Sequence, residues 1–310
     1  MTMEWPSNQT ILITGGAGFI GSHLATGLVE ENDIRVLDNL TSGERSKIPQ
    51  DATLIEGDLR DKDTLERATE NVDLIFHEAA LVSVQGSVEA PLTSHDINAT
   101  ATLELLEAAR REDARVVLAS SAAIYGHPDR VPIEESDSKT PASPYGIDKL
   151  AIDHYARRYY DLYDLETVAL RYFNAYGPGQ TAGDYSGVIS IFCDQAINDD
   201  PITVHGDGGQ TRDFVFIDDI VQANLKAATT DHVGTAYNVG TGQTVSVQEL
   251  AKTIVDVTDS DSEITYTEGR DGDIRHSGAD ISAIQADLGY EPTVSLFDGL
   301  EQTVDWYRQH

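Results

Sequence analysis

Tyr145-Gly146-Ile147-Asp148-Lys149 sets a phenol and an ammonium four residues apart, which on a helix puts both on one face. Pro144, just before them, fits a helix start. A free tyrosine, with a pKa of about 10, is a poor base near neutral pH, and a neighbouring ammonium favours the phenolate. Upstream, Leu118-Ala119-Ser120-Ser121 reads as a buried strand with hydroxyls at its carboxyl end. A serine there can hydrogen-bond a reacting oxygen and share its proton with the tyrosine. Ser121, Tyr145 and Lys149 are therefore the candidate catalytic set. The plainer alternative makes Ser121 a cap or turn residue. Tyr-x-x-x-Lys alone is a common chance pattern, so its weight depends on its surroundings.

Those surroundings suggest a dinucleotide site. Gly16-Ala17-Gly18-Phe19-Ile20-Gly21 matches G-x-G-x-x-G, and Gly15, Gly18 and Gly21 match the looser G-x-x-G-x-x-G. The motif follows an apolar run, Ile11-Leu12-Ile13-Thr14, and opens a helical pattern, which is the context it needs. Its glycines let the backbone turn tightly and approach a pyrophosphate, whose charge rests on the helix N-terminus. A second apolar run, Ile34-Arg35-Val36-Leu37, ends in Asp38. A carboxylate there accepts from ribose hydroxyls and repels a 2′-phosphate, so the expected cofactor is NAD rather than NADP. Its cationic nicotinamide would also favour a phenolate at Tyr145. Gly57-Asp58-Leu59 follows a third run, where an Asp side chain and the next amide can hold an adenine; an exposed turn aspartate is the alternative.

These groups need a scaffold, and the pattern supplies one. Expected strands are Thr10–Ile13, Ile34–Leu37, Leu54–Glu56, Leu74–Phe76, Val116–Ala119 and Thr167–Leu170, with amphipathic helices such as Asn98–Arg111 and Gly146–Tyr163 between them. Strands alternating with helices imply right-handed βαβ units and a parallel sheet. Beyond Arg171 the pattern turns irregular and rich in Gly, Asp and aromatics. The expected fold is α/β, a Rossmann-type doubly wound parallel sheet with a smaller, irregular substrate-binding lobe toward the C-terminus. The first domain takes 1–175 with 213–241, and the lobe takes 176–212 with 242–310.

Composition narrows the setting. Fifty-three acidic residues against 21 basic ones give a formal net charge of −32, and only 6 of the basic residues are lysines. Such a surface repels nucleic acid and anionic lipid, so neither is expected as a partner. Dispersed acids with few lysines suit a protein of a salt-loving microbe, where salt screens the self-repulsion. Cys193 is the only cysteine, which excludes an intrachain disulfide or a Cys-based zinc site, and no metal is expected. No apolar run reaches the roughly 18 residues of a membrane span. Met1–Gln9 carries Glu4 and lacks the regions of a secretory signal, so a cytoplasmic location is expected.

A resemblance joins these features. Thr14–His23, Gly57–Asp61, His77-Glu78-Ala79-Ala80, Ser120–Gly126, Ser143–Lys149, Arg171-Tyr172-Phe173-Asn174, Gly206–Asp213 and Gly272–His276 occur in order along nearly the whole chain. Together the sequence resembles the extended short-chain dehydrogenases that modify nucleotide sugars, most closely the UDP-glucose 4-epimerases. The resemblance implies that Tyr145 is the base on the sugar 4-hydroxyl, that Lys149 holds the nicotinamide ribose and tunes Tyr145, and that Ser121 shares the proton. It implies cofactor contacts at Gly15, Gly18, Phe19, Ile20, Gly21, Asp38, Asn39, Asp58, Leu59, Ala79 and Ala80. On the substrate it implies Asn174 near the phosphates and Arg212 and Arg270 on the diphosphate. Either arginine could instead pair only with its neighbour, Asp213 or Asp271. Ser277 falls where some resembling epimerases carry a bulky Tyr beside the sugar C2 substituent, and a small residue there leaves room for an N-acetyl group. A homodimer through Asn98–Arg111 and Gly146–Tyr163 is implied as well.

The chain departs from the family at Glu78, where an apolar residue is usual. Val82 stands where some epimerases carry Lys, and Ser190 and Asp271 replace common prolines. The expected reaction is 4-epimerisation of a UDP-hexose through a 4-keto sugar. Rivals are a 4,6-dehydratase, a decarboxylase, a dehydrogenase or a non-catalytic dinucleotide sensor. Resembling dehydratases carry carboxyl residues directly after the catalytic Ser/Thr; here Ala122 and Ala123 cannot transfer protons.

Overall fold

Alternation within the first strand decides how the sheet is used. In β1 (Thr10–Thr14) Ile11 and Ile13 enter one core layer and Leu12 the other, all three fully buried. A strand buried on both faces needs helices on both faces. The same division runs through β4 (Leu74–His77) and β5 (Arg115–Ser121), where Phe76 and Val117 face one layer and Ile75 and Val116 the other. Each such side chain contributes about 1.5–3 kcal/mol of apolar burial, and truncating Leu12 to Ala should cost about 2–5 kcal/mol.

The computed structural model describes residues 5–181, 187–269 and 272–310. With β2 (Asp33–Asp38), β3 (Thr53–Glu56) and β6 (Thr167–Tyr172), these strands form a seven-stranded sheet that the Thr235–Val239 strand completes beside β6. The order is 235–239, β6, β5, β4, β1, β2, β3, and every pairing is parallel. The fold is thus the doubly wound α/β architecture expected, with strand ends shifted by one or two residues, where helix and strand limits are least defined. All carboxyl ends share one edge, and the strand order reverses between β1 and β4, the crevice where such sheets take ligands.

Helix α1 (Phe19–Leu28) follows β1, and α2 (Lys62–Thr69) follows β3. After β4 come two short helices, α3 (Val84–Glu89) and α4 (Pro91–His95), then a π-type turn at Asp96–Thr100 and α5 (Ala101–Glu112). The helix expected at Asn98–Arg111 is therefore interrupted at its start. Helix α6 (Pro144–Tyr163) begins two residues before the expected Gly146 and ends where expected. The stretch beyond Arg171 folds into helices at Val188–Ile197, Ile217–Thr229, Val247–Thr258, Ser282–Leu288 and Leu296–Tyr307 and into short strand pairs. No helix among the described residues is long and apolar enough to cross a membrane.

One buried ion pair bolts α6 to the sheet. Asp153 takes Arg171 Nε at 2.8 Å and Nη2 at 3.0 Å, and Arg171 Nη1 donates to the Tyr125 hydroxyl at 2.9 Å. Tyr145, Lys149 and Asp153 succeed one another at intervals of four, so this pair fixes the helix face that carries the first two. Removing the carboxylate would strand a buried guanidinium, at about 3–5 kcal/mol.

Candidate active site

The start of α6 is built to meet the end of β5. Ser143 caps the helix, its Oγ accepting from Gly146 N at 3.1 Å, and Pro144 occupies the first turn. Gly146 lies so close to the 3₁₀ turn Ala122–Tyr125 that a Cβ would stand 2.8 Å from the Ala123 carbonyl oxygen. The absent side chain lets α6 dock there and brings Tyr145 beside Ser121, whose hydroxyl favours the phenolate. Ser121 caps that turn, accepting from Ala123 N at 3.1 Å, as the plainer alternative has it, and the same side chain stands beside Tyr145. Tyr145 N donates to Ser87 Oγ at 3.1 Å, and Lys149 Nζ donates to the Ala119 carbonyl at 2.7 Å.

Burial dominates the electrostatics of this pair. Lys149 Nζ lies 6.0 Å from the Tyr145 ring centre, yet the phenol is not brought down. Burial pushes it above the ordinary value, the Ser121 hydroxyl pulls it partly back, and the Glu78 carboxylate pushes it up again. Burial likewise pushes Lys149 down to about 8, against the support of Glu78 and Asp148. Burial is thus the largest influence on both groups.

The β1–α1 turn has the features a pyrophosphate needs. Gly15 has φ +69°, and a Cβ on it would stand 2.7 Å from Ala79 N; one on Gly21 would stand 2.4 Å from the Gly15 carbonyl oxygen. Gly18 caps α1 without any side-chain bond, and no acidic residue sits in the first turn, which leaves the positive helix end at Phe19 and Ile20 uncompensated. The turn therefore fits a dinucleotide's phosphates. Asp38 is buried at the end of β2, accepting from Ala17 N at 2.9 Å and Leu40 N at 2.8 Å. A carboxylate has lone pairs left for a ribose hydroxyl. Asp58 is not a free turn carboxylate. Arg60 grips both its oxygens at 2.8 Å, Asn39 Nδ2 donates at 3.1 Å, and the arginine holds it well below the usual carboxylate range. Leu59 is buried beside it, and Ala79 and Ala80 continue β4 next to Gly15.

Several residues at this edge have partners that the sequence did not assign. His77 is buried between Thr14 Oγ1 and Thr102 Oγ1, each at 2.7 Å, and burial pushes it down to about 3. It thereby ties the glycine turn to α5 as a neutral ring. Asn98, in the π-type turn, accepts from Leu81 N at 2.8 Å and donates to the Leu81 carbonyl at 3.1 Å, fixing the chain after Ala80. Asp148 faces α4, with Ser94 Oγ at 2.7 Å and His95 Nδ1 at 2.8 Å. Glu78 accepts from the Tyr172 hydroxyl at 2.9 Å. A polar residue spaced like a core residue was the one available hint, and only the folded chain shows its partner.

A second cluster gathers about Thr211-Arg212-Asp213. Asn174 Nδ2 donates to the Asp213 carbonyl at 2.8 Å, and Ser277 N donates to the Thr211 carbonyl at 3.1 Å. Arg212 does not pair with Asp213, whose buried carboxylate accepts from Thr241, Gly242 and Ala279. Its partner is Asp273 Oδ1 at 2.5 Å. Ser277 is 8% exposed, so the wall beside it is packed rather than open to solvent. Arg270 and Asp271 lie outside the described residues.

Comparison with known proteins agrees with this geometry. Residues 11–240 match the NAD dependent epimerase/dehydratase family. The chain is 35% identical to the UDP-glucose 4-epimerase of Mycolicibacterium smegmatis, over 96% of this chain and 98% of that one. It is 32% identical to a UDP-N-acetyl-alpha-D-glucosaminuronate decarboxylase of Bacillus cytotoxicus, over 96% and 97%. Among solved structures, the UDP-N-acetylglucosamine 4-epimerase from Methanobrevibacter ruminantium M1, in complex with UDP-N-acetylmuramic acid, superposes with a TM-score of 0.94 at 36% identity, covering 98% of this chain and 99% of that one.

Proposed function

Because this chain belongs to the NAD dependent epimerase/dehydratase family, we propose that it is an NAD-dependent 4-epimerase of UDP-hexoses, interconverting UDP-glucose and UDP-galactose and accepting the N-acetylated pair. The observation that carries this reading is the meeting of Ser121, Tyr145 and Lys149 at one edge, Lys149 Nζ 6.0 Å from the Tyr145 ring centre, with only the methyl groups of Ala122 and Ala123 following Ser121. That set can take and return one hydroxyl proton. It offers nothing to eliminate water across C5 and C6.

A bound NAD, held by the β1–α1 turn and Asp38, would supply hydride exchange at C4 of the sugar and a positive charge near Tyr145. Tyr145 takes the 4-hydroxyl proton, and Ser121 hands it between phenol and sugar oxygen. Lys149, kept protonated to about pH 8, holds the nicotinamide ribose and opposes no charge of its own sign until the cofactor enters. Burial alone leaves the phenol too weak an acid to be the base at neutral pH, so the cationic cofactor is needed to complete the site.

On the substrate side Arg212 grips the diphosphate after exchanging Asp273 for phosphate oxygens, a fork-on-anion geometry that suits guanidinium. Residues 1–175 with 213–241 serve the cofactor, and 176–212 with 242–310 serve the nucleotide sugar. Two copies pair through α5 and α6, where Ile147 and Tyr155 are left exposed. Purified protein should carry NAD and convert UDP-glucose to UDP-galactose with none added, followed by the anomeric proton signals. Stoichiometric NADH release, or a 4-keto-6-deoxy product, overturns the reading.

A further inference from the structure

Glu78 stands where the strand pattern calls for an apolar side chain. Alternation along β4 sends Phe76 into one core layer and His77 to the other side, toward Thr102 of α5. Glu78 returns to the side of Phe76. There its Oε1 accepts from the Tyr172 hydroxyl of β6 at 2.9 Å, and Asn224 Nδ2, from the Ile217–Thr229 helix, donates to that hydroxyl at 2.8 Å. Asn224 is fully buried and Tyr172 nearly so, so the half-buried Glu78 is anchored through its carboxyl to buried partners. The charged and titratable groups facing it are Lys149 and Tyr145 from α6 and Tyr172 from β6. Lys149 is the cation that reaches it electrostatically, and a hydrogen-bonded phenol is its direct partner.

We infer that Glu78 is a positioning residue of the proton-transfer site, a carboxyl held by Tyr172 and Asn224 that acts on the reaction only through the charges of Tyr145 and Lys149. The inference rests on the proton-transfer roles proposed above. When ionised, Glu78 supports the ammonium of Lys149 and opposes the phenolate of Tyr145. Its charge therefore raises the pH at which each of them loses its proton. Burial pushes Glu78 up to about 7, against the Tyr172 hydrogen bond and Lys149, so this influence changes within the working pH range. Below that pH the carboxyl is neutral and both effects fade; above it both are present.

The test is the pH dependence of kcat/KM, with Tyr145 ionisation followed separately through tyrosinate absorbance as the difference between the wild type and Tyr145→Phe. Glu78→Gln keeps an acceptor for Tyr172 but removes the charge. Both limbs of its bell should move to lower pH by about one unit, and the tyrosinate titration should move the same way. Glu78→Asp, which keeps the charge, should leave the limbs near their wild-type positions. Should Glu78→Gln fail to fold, Tyr172→Phe gives the same direction with a smaller shift, because it removes the bond that favours the ionised carboxyl. A uniform loss of activity with unmoved limbs and an unmoved titration overturns the inference. If Tyr145→Phe keeps its activity, the proton-transfer reading itself has failed, which is a separate outcome.

Discussion

The β1–α1 turn and the Thr211–Asp213 segment are both suited to phosphate, by opposite means. The first uses backbone: glycines at 15, 18 and 21, and a helix end with no side-chain cap to displace. The second uses side chains already engaged, Arg212 with Asp273 at 2.5 Å and Asn174 with the Asp213 carbonyl at 2.8 Å. An anion entering the turn exchanges only water for amides. One entering the second cluster must displace a carboxylate. The difference matches what an epimerase needs, a cofactor that stays and a substrate that leaves. Preorganisation without a competitor favours retention, whereas an internal competitor lowers net affinity and speeds release.

The strongest way to break the comparison is Gly21→Val. Its Cβ would stand 2.4 Å from the Gly15 carbonyl oxygen and 2.7 Å from Gly16 Cα, so the turn must open. The purified variant should carry no NAD, read from the absorbance of a perchloric acid extract, and should show no epimerase activity without added cofactor. Full NAD content in that variant would mean the turn is not the cofactor's anchor. Arg212→Ala probes the other side. Losing a charge-assisted pair is worth about 1.5–3 kcal/mol, so KM for UDP-glucose should rise about 10–100-fold with NAD content unchanged. A loss of NAD in this variant would merge the two regions that the comparison separates.

How much of this was legible beforehand follows the same division. The turn, Asp38 and the Tyr145–Lys149 face could be read because backbone geometry imposes residue types at fixed spacings: glycine where a Cβ cannot fit, four residues where two side chains share a helix face. Arg212 could be named from its family pattern but not its partner, since Asp273 is 61 positions away. The Glu78–Tyr172 contact spans 94 positions, and no local periodicity encodes such a meeting. The sign of the Tyr145 shift also escaped the sequence. A lysine four residues away is visible in the sequence, but the desolvation of the phenol exists only once α6 has closed on β5.

A smaller effect tests the sugar end of the second cluster. Ser277 is buried next to Thr211, so any bulk added there must push toward its neighbours. On the proposed reading Ser277→Tyr intrudes where an N-acetyl group would lie. The ratio of kcat/KM for UDP-N-acetylglucosamine over UDP-glucose should then fall about tenfold, since a steric block discriminates by adding overlap with one substrate only. An unchanged ratio removes Ser277 as the gate while leaving Arg212 and the diphosphate untouched.

Salt should separate the two regions most gently. The formal charge of −32 repels itself and repels an incoming sugar nucleotide. Raising salt from about 0.1 M to 1 M shortens the Debye length from about 10 Å to about 3 Å, which removes long-range repulsion while leaving contacts such as Arg212 to phosphate partly intact. The melting temperature should therefore rise between dilute buffer and molar KCl, and KM for UDP-glucose should fall a few-fold over the same range. NAD content should not change, because on the proposed reading a cofactor at the β1–α1 turn would rest on short backbone contacts and would not cross the outer field in each cycle. A melting temperature indifferent to KCl would refute the view of the surface as salt-adapted. A KM that instead climbs steadily with salt would show that the local attraction of Arg212, rather than the repulsion of the surrounding acids, governs how the substrate arrives.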